Sequence, residues 1–261
     1  MNGDHSTFQE LRRLARTRLL KMHYESKVGH VGGNLSCLDA LLFLHHYTLE
    51  QSDTFVLSKG HAVGALYVTL WSIGKLSDKD LLTFHADSTL LAGHPVANWM
   101  SQIAFATGSL GHGFSLAAGV AMGKRMREEK GRVFCLCSDG EWQEGSTWEA
   151  LIFTHHQKLD NLTVLVDVNG LQGFGSTKEV ASMDRLRERI AAFGLETMEI
   201  DGHDPEALAT ISQHLPSGPR IVLLRTVKGK GISFMENRME WHYLPLSAEQ
   251  YAQALRELET P

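Results

Sequence analysis

Arg132-Val-Phe-Cys-Leu-Cys137 forms a continuous apolar run that leads directly into the polar segment Ser138-Asp-Gly-Glu141. Such a run is typical of a strand that is buried on both faces of a parallel sheet. A second run of this kind, Leu162–Val168, follows after about one strand–helix–strand repeat and leads into Asn169-Gly-Leu-Gln-Gly173. The two runs predict neighbouring strands at the centre of a parallel sheet.

The segments on either side of these runs alternate between helical and strand-like patterns. Helices are predicted over Phe8–His23, Leu35–Tyr47 with Asn34 as its cap, Gly113–Glu129, Glu144–His156, Leu186–Phe193 and Pro205–His214. Further strands are predicted over Asp53–Leu57, Leu195–Ile200 and Arg220–Arg225. Since strands that alternate with helices form right-handed β–α–β units, we predict an α/β fold with a mostly parallel sheet and helices on both faces. No linker-like or repetitive stretch interrupts the pattern, so a single domain is expected over residues 1–261.

Composition excludes several classes of partner. The chain has 261 residues, of which 43% are apolar, and its 25 basic and 30 acidic residues give a net charge of -5. Because no block of like charge stands out, we expect neither a nucleic-acid nor a membrane partner. The apolar runs are far shorter than the roughly 20 residues that span a bilayer, and the N-terminus lacks the apolar core of a signal peptide. Three cysteines, an odd number, favour a reduced, cytoplasmic compartment.

Two polar residues follow the carboxyl ends of the two central strands. Asp139 follows the first and Asn169 the second, so both are expected at the sheet edge where open parallel sheets bind ligands. A carboxylate, an amide oxygen and nearby main-chain carbonyls suit Mg²⁺ or Ca²⁺. Gly140 lies just before the helix at 144 and leaves room for a phosphate on main-chain N–H groups. The alternative is that Asp139 only caps a helix and Asn169 only forms a turn.

Histidine and glycine are frequent and often adjacent. The chain has 14 histidines and 24 glycines, and five histidines directly follow a glycine, whereas random placement gives about one. These five are His30, His61, His94, His112 and His203. Because glycine allows tight turns and close approach to a ligand, a histidine beside it can be presented from a loop. His30, His61 and His94, with His242 in another irregular loop, are therefore the histidines expected to act in chemistry.

Seven ordered motifs resemble those of transketolases. They are Lys27-Val-Gly-His30-Val-Gly-Gly33, Phe55-Val-Leu-Ser-Lys-Gly-His61-Ala62, Leu91-Ala-Gly-His94-Pro95, Thr107-Gly-Ser-Leu-Gly-His-Gly113, Ser138-Asp-Gly-Glu-Trp-Gln-Glu-Gly145, Asn169-Gly-Leu-Gln-Gly-Phe-Gly175 and Lys228-Gly-Lys-Gly-Ile-Ser-Phe-Met-Glu-Asn237 with Trp241-His242. The resemblance covers about residues 10–245. It implies a thiamine diphosphate-binding fold and an enzyme that transfers a two-carbon ketol unit from a ketose to an aldose.

The resemblance also assigns roles to particular positions. It implies that Asp139, Asn169 and the main-chain oxygen of Leu171 hold Mg²⁺, or alternatively Ca²⁺ or Mn²⁺. The cofactor-binding positions that it implies are His61, Gly108, Leu110, Gly140, Asn169 and His242. The catalytic positions are His30, His94, His242 and Glu144, of which His30 and His94 would face the reacting hydroxyls of the sugar. Glu144 and Glu149 would link two cofactor sites across a dimer.

Transketolases combine a diphosphate-binding, a pyrimidine-binding and a C-terminal domain, and this sequence resembles only the first. We therefore expect the N-terminal subunit of a split transketolase, inactive alone and joined to a second subunit that carries the other two domains, in an α₂β₂ particle. Its substrates would be sugar phosphates or modified sugars.

Three departures from the family pattern leave the substrate open. Ser138 replaces a usual glycine, His112 stands where glutamine is frequent, and Gly173 occupies a position often filled by an apolar residue against the thiazolium ring. The alternatives are a 2-oxoacid dehydrogenase component, a deoxyxylulose-phosphate synthase, a non-catalytic partner that kept the fold, and a histidine-rich metal hydrolase. The hydrolase is disfavoured because no histidine or cysteine set has zinc-ligand spacing.

Overall fold

A parallel sheet forms the centre of the computed structural model, which describes residues 5–213 and 218–259. The strands of the described residues are β1 (Thr54–Leu57), β2 (Val133–Ser138), β3 (Leu162–Val168), β4 (Leu171–Gln172), β5 (Gly175–Ser176), β6 (Glu196–Asp201) and β7 (Arg220–Arg225). In the described residues five of these form the central sheet in the order β1-β2-β3-β7-β6, with every neighbouring pair parallel. Strands β4 and β5 form a separate antiparallel hairpin directly after β3.

Helices cover both faces of this sheet. They are α1 (His5–Ser26), α2 (Val31–Phe43), α3 (Val63–Ser72), α4 (Asp78–Leu81), α5 (Gly113–Met126), α6 (Gly145–His156), α7 (Thr177–Ala181), α8 (Leu186–Ala191), α9 (Pro205–Gln213) and α10 (Ala248–Glu259). Helices α1, α2, α3, α9 and α10 contribute to a core on one face, and α5, α6 and α8 contribute to a core on the other. The predicted α/β class and the parallel sheet are confirmed.

Strand β2 shows why the central runs are continuously apolar. Phe134 and Leu136 point into the first core, whereas Val133, Cys135 and Cys137 point into the second. Because successive side chains of a strand point to opposite faces, a strand between two helical layers needs apolar residues at every position. All six residues of β2 are buried.

The predicted start of α2 is wrong. The helix begins at Val31, after His30 in a left-handed conformation with φ of 66°, and Asn34 lies inside it rather than at its cap. The Asn34 Nδ2 donates to the carbonyl of His30 at 2.8 Å, and its Oδ1 accepts from the backbone N–H of Ala65 at 2.6 Å. Asn34 therefore ties α2 to α3. The pattern could not show this because every residue of α2 is buried.

The remaining predicted segments agree with the structure apart from their ends. Helix α5 ends at Met126 instead of 129, and α9 is described up to Gln213, so the predicted end at His214 lies outside the described residues. The sequence patterns do not predict helices α3 and α10. Cys37, Cys135 and Cys137 are buried free thiols. Within the described residues, no helix combines the length and the apolar character needed to cross a membrane.

Candidate active site

The carboxyl ends of β1, β2, β3 and β7 open into one cavity of about 250 Å³. Its lining includes His30, His61, His94, Gly108, Leu110, Asp139, Gly140, Asn169, Leu171 and His242. These are all of the predicted site residues except Glu144, and the sequence separates them by up to about two hundred positions. A larger cavity of about 700 Å³ shares Asp139 and Asn169 but is otherwise lined mainly by α8 and the ends of the neighbouring strands.

Four histidines surround the cavity as a cluster. The ring centroid of His30 lies 5.7 Å from that of His61, 6.5 Å from that of His94 and 5.0 Å from that of His242. Burial lowers the pKa of all four, to about 3 for His242 and well below the ordinary value for His61. The imidazoles are therefore neutral at pH 7, and each has one nitrogen that can accept a proton.

Close backbone approach explains one of the glycines. Gly108 has a φ of 157°, and a Cβ on it would lie 2.9 Å from Cδ2 of His94. A side chain at this position would therefore displace His94 from the cavity. Glycine is required here both by the conformation and by the space.

Oxygen atoms from two strand ends also line the cavity. Asp139 accepts the backbone N–H of Gly140 at 2.9 Å with Oδ1 and that of Gly170 at 2.7 Å with Oδ2. The Oδ1 of Asn169 accepts from the backbone N–H of Leu171 at 3.1 Å. The loops after β2 and β3 thus hold both side chains in fixed positions, and the carboxyl ends of the two strands meet there as predicted.

The chemistry of these oxygens fits a divalent cation. Burial, together with the charge of nearby Asp167, raises the pKa of Asp139 to about 7. A cation bound at Asp139 would compensate its buried charge and keep the carboxylate ionised. The described residues contain no cluster of three His, Cys, Asp or Glu side chains suited to a metal, but the set Asp139, Asn169 and Leu171 needs only one such side chain.

A buried ion pair, which sequence reasoning missed, lies beneath this set. The ammonium group of Lys59 pairs with Asp167, and the two side chains are 1% and 0% exposed. Burial alone would raise the pKa of Asp167, but the charge and hydrogen bond of Lys59 outweigh it and hold that pKa below its ordinary value. Asp167 Oδ2 also accepts the Nδ2–H of Asn169 at 3.1 Å. Since the amide nitrogen is held in this way, Oδ1 of Asn169 faces the opposite direction.

Breaking this ion pair is expected to destabilise the fold. In Lys59→Met the carboxylate of Asp167 stays buried without its counter-ion, so we expect the free energy of unfolding to fall by about 3–5 kcal/mol. Urea unfolding of the purified chain measures it. Lys178→Met is the control, because Lys178 is 75% exposed and 3.9 Å from Asp184, and such pairs contribute little. An equal effect in both variants would refute the role given to the buried pair.

Lys228 is a second cationic residue of the cavity that sequence reasoning missed. Its Nζ lies 3.1 Å from Nδ1 of His242 and 3.4 Å from the carbonyl oxygen of Leu171. Burial lowers its pKa to about 8. With Lys59, it places positive charge beside the bottom of the cavity, where an anionic group of a ligand would be stabilised. Its place in the motif Lys228-Gly-Lys-Gly231 was the signal that could have identified it.

Glu144 and Glu149 lie away from the cavity, on the exposed side of α6. Glu144 is the N-cap residue of this helix and makes no side-chain capping bond. Its neighbour Glu141 is buried and accepts from the backbone N–H groups of Ser138 and Gly111 at 2.7 and 2.9 Å. Glu141 therefore joins the loops, whereas Glu144 and Glu149 are exposed.

One edge of the parallel sheet carries oxygen ligands, lysines and neutral histidines. This arrangement is typical of an α/β domain that binds a phosphorylated cofactor. The sequence profile described as "Transketolase, thiamine diphosphate binding domain" matches residues 11–259. The chain belongs to the transketolase family.

Similar proteins extend this comparison. An apulose-4-phosphate transketolase subunit of Phocaeicola vulgatus is 38% identical over 255 residues, which cover 93% of this chain and 90% of that protein. A 6-deoxy-6-sulfo-D-fructose transketolase subunit of a Clostridium species is 34% identical over 244 residues, covering 89% of each. The crystal structure of transketolase from Campylobacter jejuni has a TM-score of 0.90 and 28% identity. This chain, 99% of which is covered, spans 43% of that enzyme.

Proposed function

We propose that this chain is the thiamine diphosphate-binding subunit of a two-subunit transketolase, which moves a two-carbon ketol unit from a ketose donor to an aldose acceptor. The observation that carries the proposal is the single cavity in which ten predicted residues from separate loops lie together. The similarity to relatives named as transketolase subunits, along nearly their whole length, supports it.

The oxygen set holds the metal in this proposal. Asp139, Asn169 and the carbonyl of Leu171 would hold Mg²⁺, with Ca²⁺ or Mn²⁺ as substitutes, and the cation would offset the negative charge of the diphosphate. Gly140 lies at the start of a short helical turn and leaves space for the diphosphate. His61 and His242 also contact the diphosphate. Gly108 and Leu110 line the channel of the cofactor.

The histidines near the mouth move protons. Bound thiamine diphosphate would supply a nucleophilic carbon and an electron sink for the transfer of the two-carbon unit. His30 and His94 face the sugar, and their neutral imidazole nitrogens accept the proton of the reacting hydroxyl and return it later. Low pKa values keep these nitrogens free to accept a proton at neutral pH.

A second subunit completes the site. The names of the relatives as subunits support the existence of such a partner, which would carry the pyrimidine-binding and C-terminal domains. Phe174 lines the cavity and is 86% exposed, which leaves apolar surface for another chain to cover. In an α₂β₂ particle Glu144 and Glu149 then connect the two cofactor sites. Buried free thiols fit the reducing conditions of the cytoplasm.

The donor is proposed to be a phosphorylated or otherwise modified ketose. Relatives of similar length are named for apulose 4-phosphate and for 6-deoxy-6-sulfo-D-fructose. Both names describe sugars with an anionic group at the end that is not transferred. The groups that would recognise this anionic end are expected on the partner subunit.

Assembly is the test of the proposal. The purified chain alone is expected to show no turnover of hydroxypyruvate with glycolaldehyde, because half of the cofactor site is missing. Co-expression with its partner subunit should give both turnover and a stable complex in light scattering after gel filtration. Turnover by the isolated chain at ordinary enzymatic rates, or a complex that binds no thiamine diphosphate, would contradict the proposal.

A further inference from the structure

Tyr243 has a fixed backbone at the mouth of the cavity. Its backbone N–H donates to the carbonyl of Glu240 at 3.1 Å, and the preceding carbonyl, of His242, accepts from the N–H of His30 at 3.0 Å. The carbonyl carbon of Tyr243 would lie only 2.7 Å from a Cβ on Gly29, so the two backbones are in close contact. These contacts fix the backbone from which the phenol ring projects, and the residue is 53% exposed.

The hydroxyl of Tyr243 lies over Gly173, in the turn between β4 and β5. A Cβ on Gly173 would collide with this hydroxyl and would lie 3.0 Å from Cζ of Tyr243 and 3.4 Å from Nε2 of His242. The φ of Gly173 is outside the left-handed region, so its backbone tolerates a side chain. What excludes a side chain at Gly173 is the phenol of Tyr243. A side chain at position 173 and the phenol of Tyr243 therefore compete for the same space.

This hydroxyl is free to bind a ligand. It has no hydrogen-bond partner among the residues that the structure describes, and Tyr243 lines the same cavity as His30 and His61. The ring of His242 packs against it at 4.7 Å between centroids, with Nδ1 of that histidine near Lys228. A phenolic hydroxyl can both donate and accept a hydrogen bond, as the hydroxyl groups of a sugar require.

We propose that Tyr243 determines substrate specificity by hydrogen-bonding a hydroxyl of the donor ketose beyond its transferred two-carbon unit. This inference rests on the proposed function. Lys59 and Asp139 are buried residues of the cavity lining, and the diphosphate of the cofactor would bind beside them. Tyr243 lies at the open mouth, towards which the remainder of the sugar chain must extend. Gly173 keeps the space that the phenol needs.

The test compares two donors in the assembled enzyme. Hydroxypyruvate supplies the two-carbon unit but has no hydroxyl beyond it, whereas D-fructose 6-phosphate and 6-deoxy-6-sulfo-D-fructose do. For whichever ketose the wild type uses better, we expect Tyr243→Phe to lower kcat/KM about tenfold, mainly through KM. Hydroxypyruvate kinetics and the Kd of thiamine diphosphate should change less than twofold. Tyr47→Phe is the matched control, since Tyr47 is similarly exposed but packs against Phe8 and Phe43.

A double-mutant cycle tests the coupling. Gly173→Ala should cost at least as much as Tyr243→Phe for the ketose, because the new Cβ displaces the phenol. In the Tyr243→Gly background, Gly173→Ala should change kcat/KM less than twofold, since the obstructing ring is gone. Additive effects, or Tyr243→Phe with wild-type ketose kinetics, would overturn the inference.

Two further outcomes separate this inference from the proposed function. Tyr243→Phe could instead raise the cofactor Kd, with ketose kinetics that recover at saturating cofactor. That result would show that Tyr243 contacts the cofactor, and it would overturn the specificity role alone. A wild-type complex that binds no thiamine diphosphate and uses none of these donors would overturn the proposed function and this inference together.

Discussion

Replacing Asp139 with alanine is expected to abolish the metal-dependent binding of thiamine diphosphate by the assembled enzyme. Asp139 is the one charged side chain of the proposed oxygen set, and its two carboxylate oxygens are already held by the N–H groups of Gly140 and Gly170. Removing a group that only hydrogen-bonds a metal ligand typically lowers metal affinity about 10–100-fold. Removing the charged ligand itself should therefore weaken cofactor affinity by more than about 100-fold. Calorimetric titration of cofactor in the presence of Mg²⁺ measures the effect.

Two further variants show whether the charge is responsible. Asp139→Asn keeps an oxygen acceptor without the charge and should bind the cofactor more weakly than the wild type but more tightly than alanine. Asp160→Ala is the control, because Asp160 is exposed and precedes β3, at the opposite edge of the sheet. Unchanged cofactor affinity in a folded Asp139→Ala variant would remove the metal assignment.

The oxygen set could be predicted because one rule of sheet geometry connects sequence with space. Asp139 and Asn169 each follow an apolar strand, and parallel strands one crossover apart end at the same edge. The loop positions of His30, His61 and His94 could be predicted for a related reason, since the glycine before each of them marks a loop. In both cases a local feature of the sequence was enough to place the residue.

The hydrogen bonds and ion pair around Asp167, below the site, join residues that are far apart in the sequence. No local sequence pattern predicts them. Asp167 lies inside an apolar strand, and its partners Ser36, Lys59 and Thr226 come from three distant segments. A charged residue in such a strand requires a partner, but the sequence does not say which. The coupling of Tyr243 to Gly173 also depends on a long-range contact. Glycine is needed at position 173 because the ring of Tyr243, seventy positions away in the sequence, fills the space of a side chain there.

The loop histidines should divide into two groups when each is replaced by alanine in the assembled enzyme. His61→Ala and His242→Ala remove proposed diphosphate contacts, so we expect a higher cofactor Kd and partial recovery of turnover at saturating cofactor. His30→Ala and His94→Ala remove proposed proton acceptors, which typically contribute about 10²–10⁴-fold. For these two we expect a loss of that size in kcat/KM with cofactor Kd changed less than about twofold. His46→Ala, whose Nε2 bonds Ser72, is the control.

The two groups of histidines are difficult to separate by experiment because their rings lie close together. His30 lies 5.0 Å from His242 between centroids, and their segments are joined by the hydrogen bond from the N–H of His30 to the carbonyl of His242. That bond is between backbones and survives either substitution, so a change in one ring need not move the other. Cofactor Kd and donor kinetics measured on each variant therefore report separate contacts. If His94→Ala lost cofactor affinity while its donor kinetics recovered fully at saturating cofactor, the assignment of His94 to the sugar would be wrong even though the chain belongs to the family.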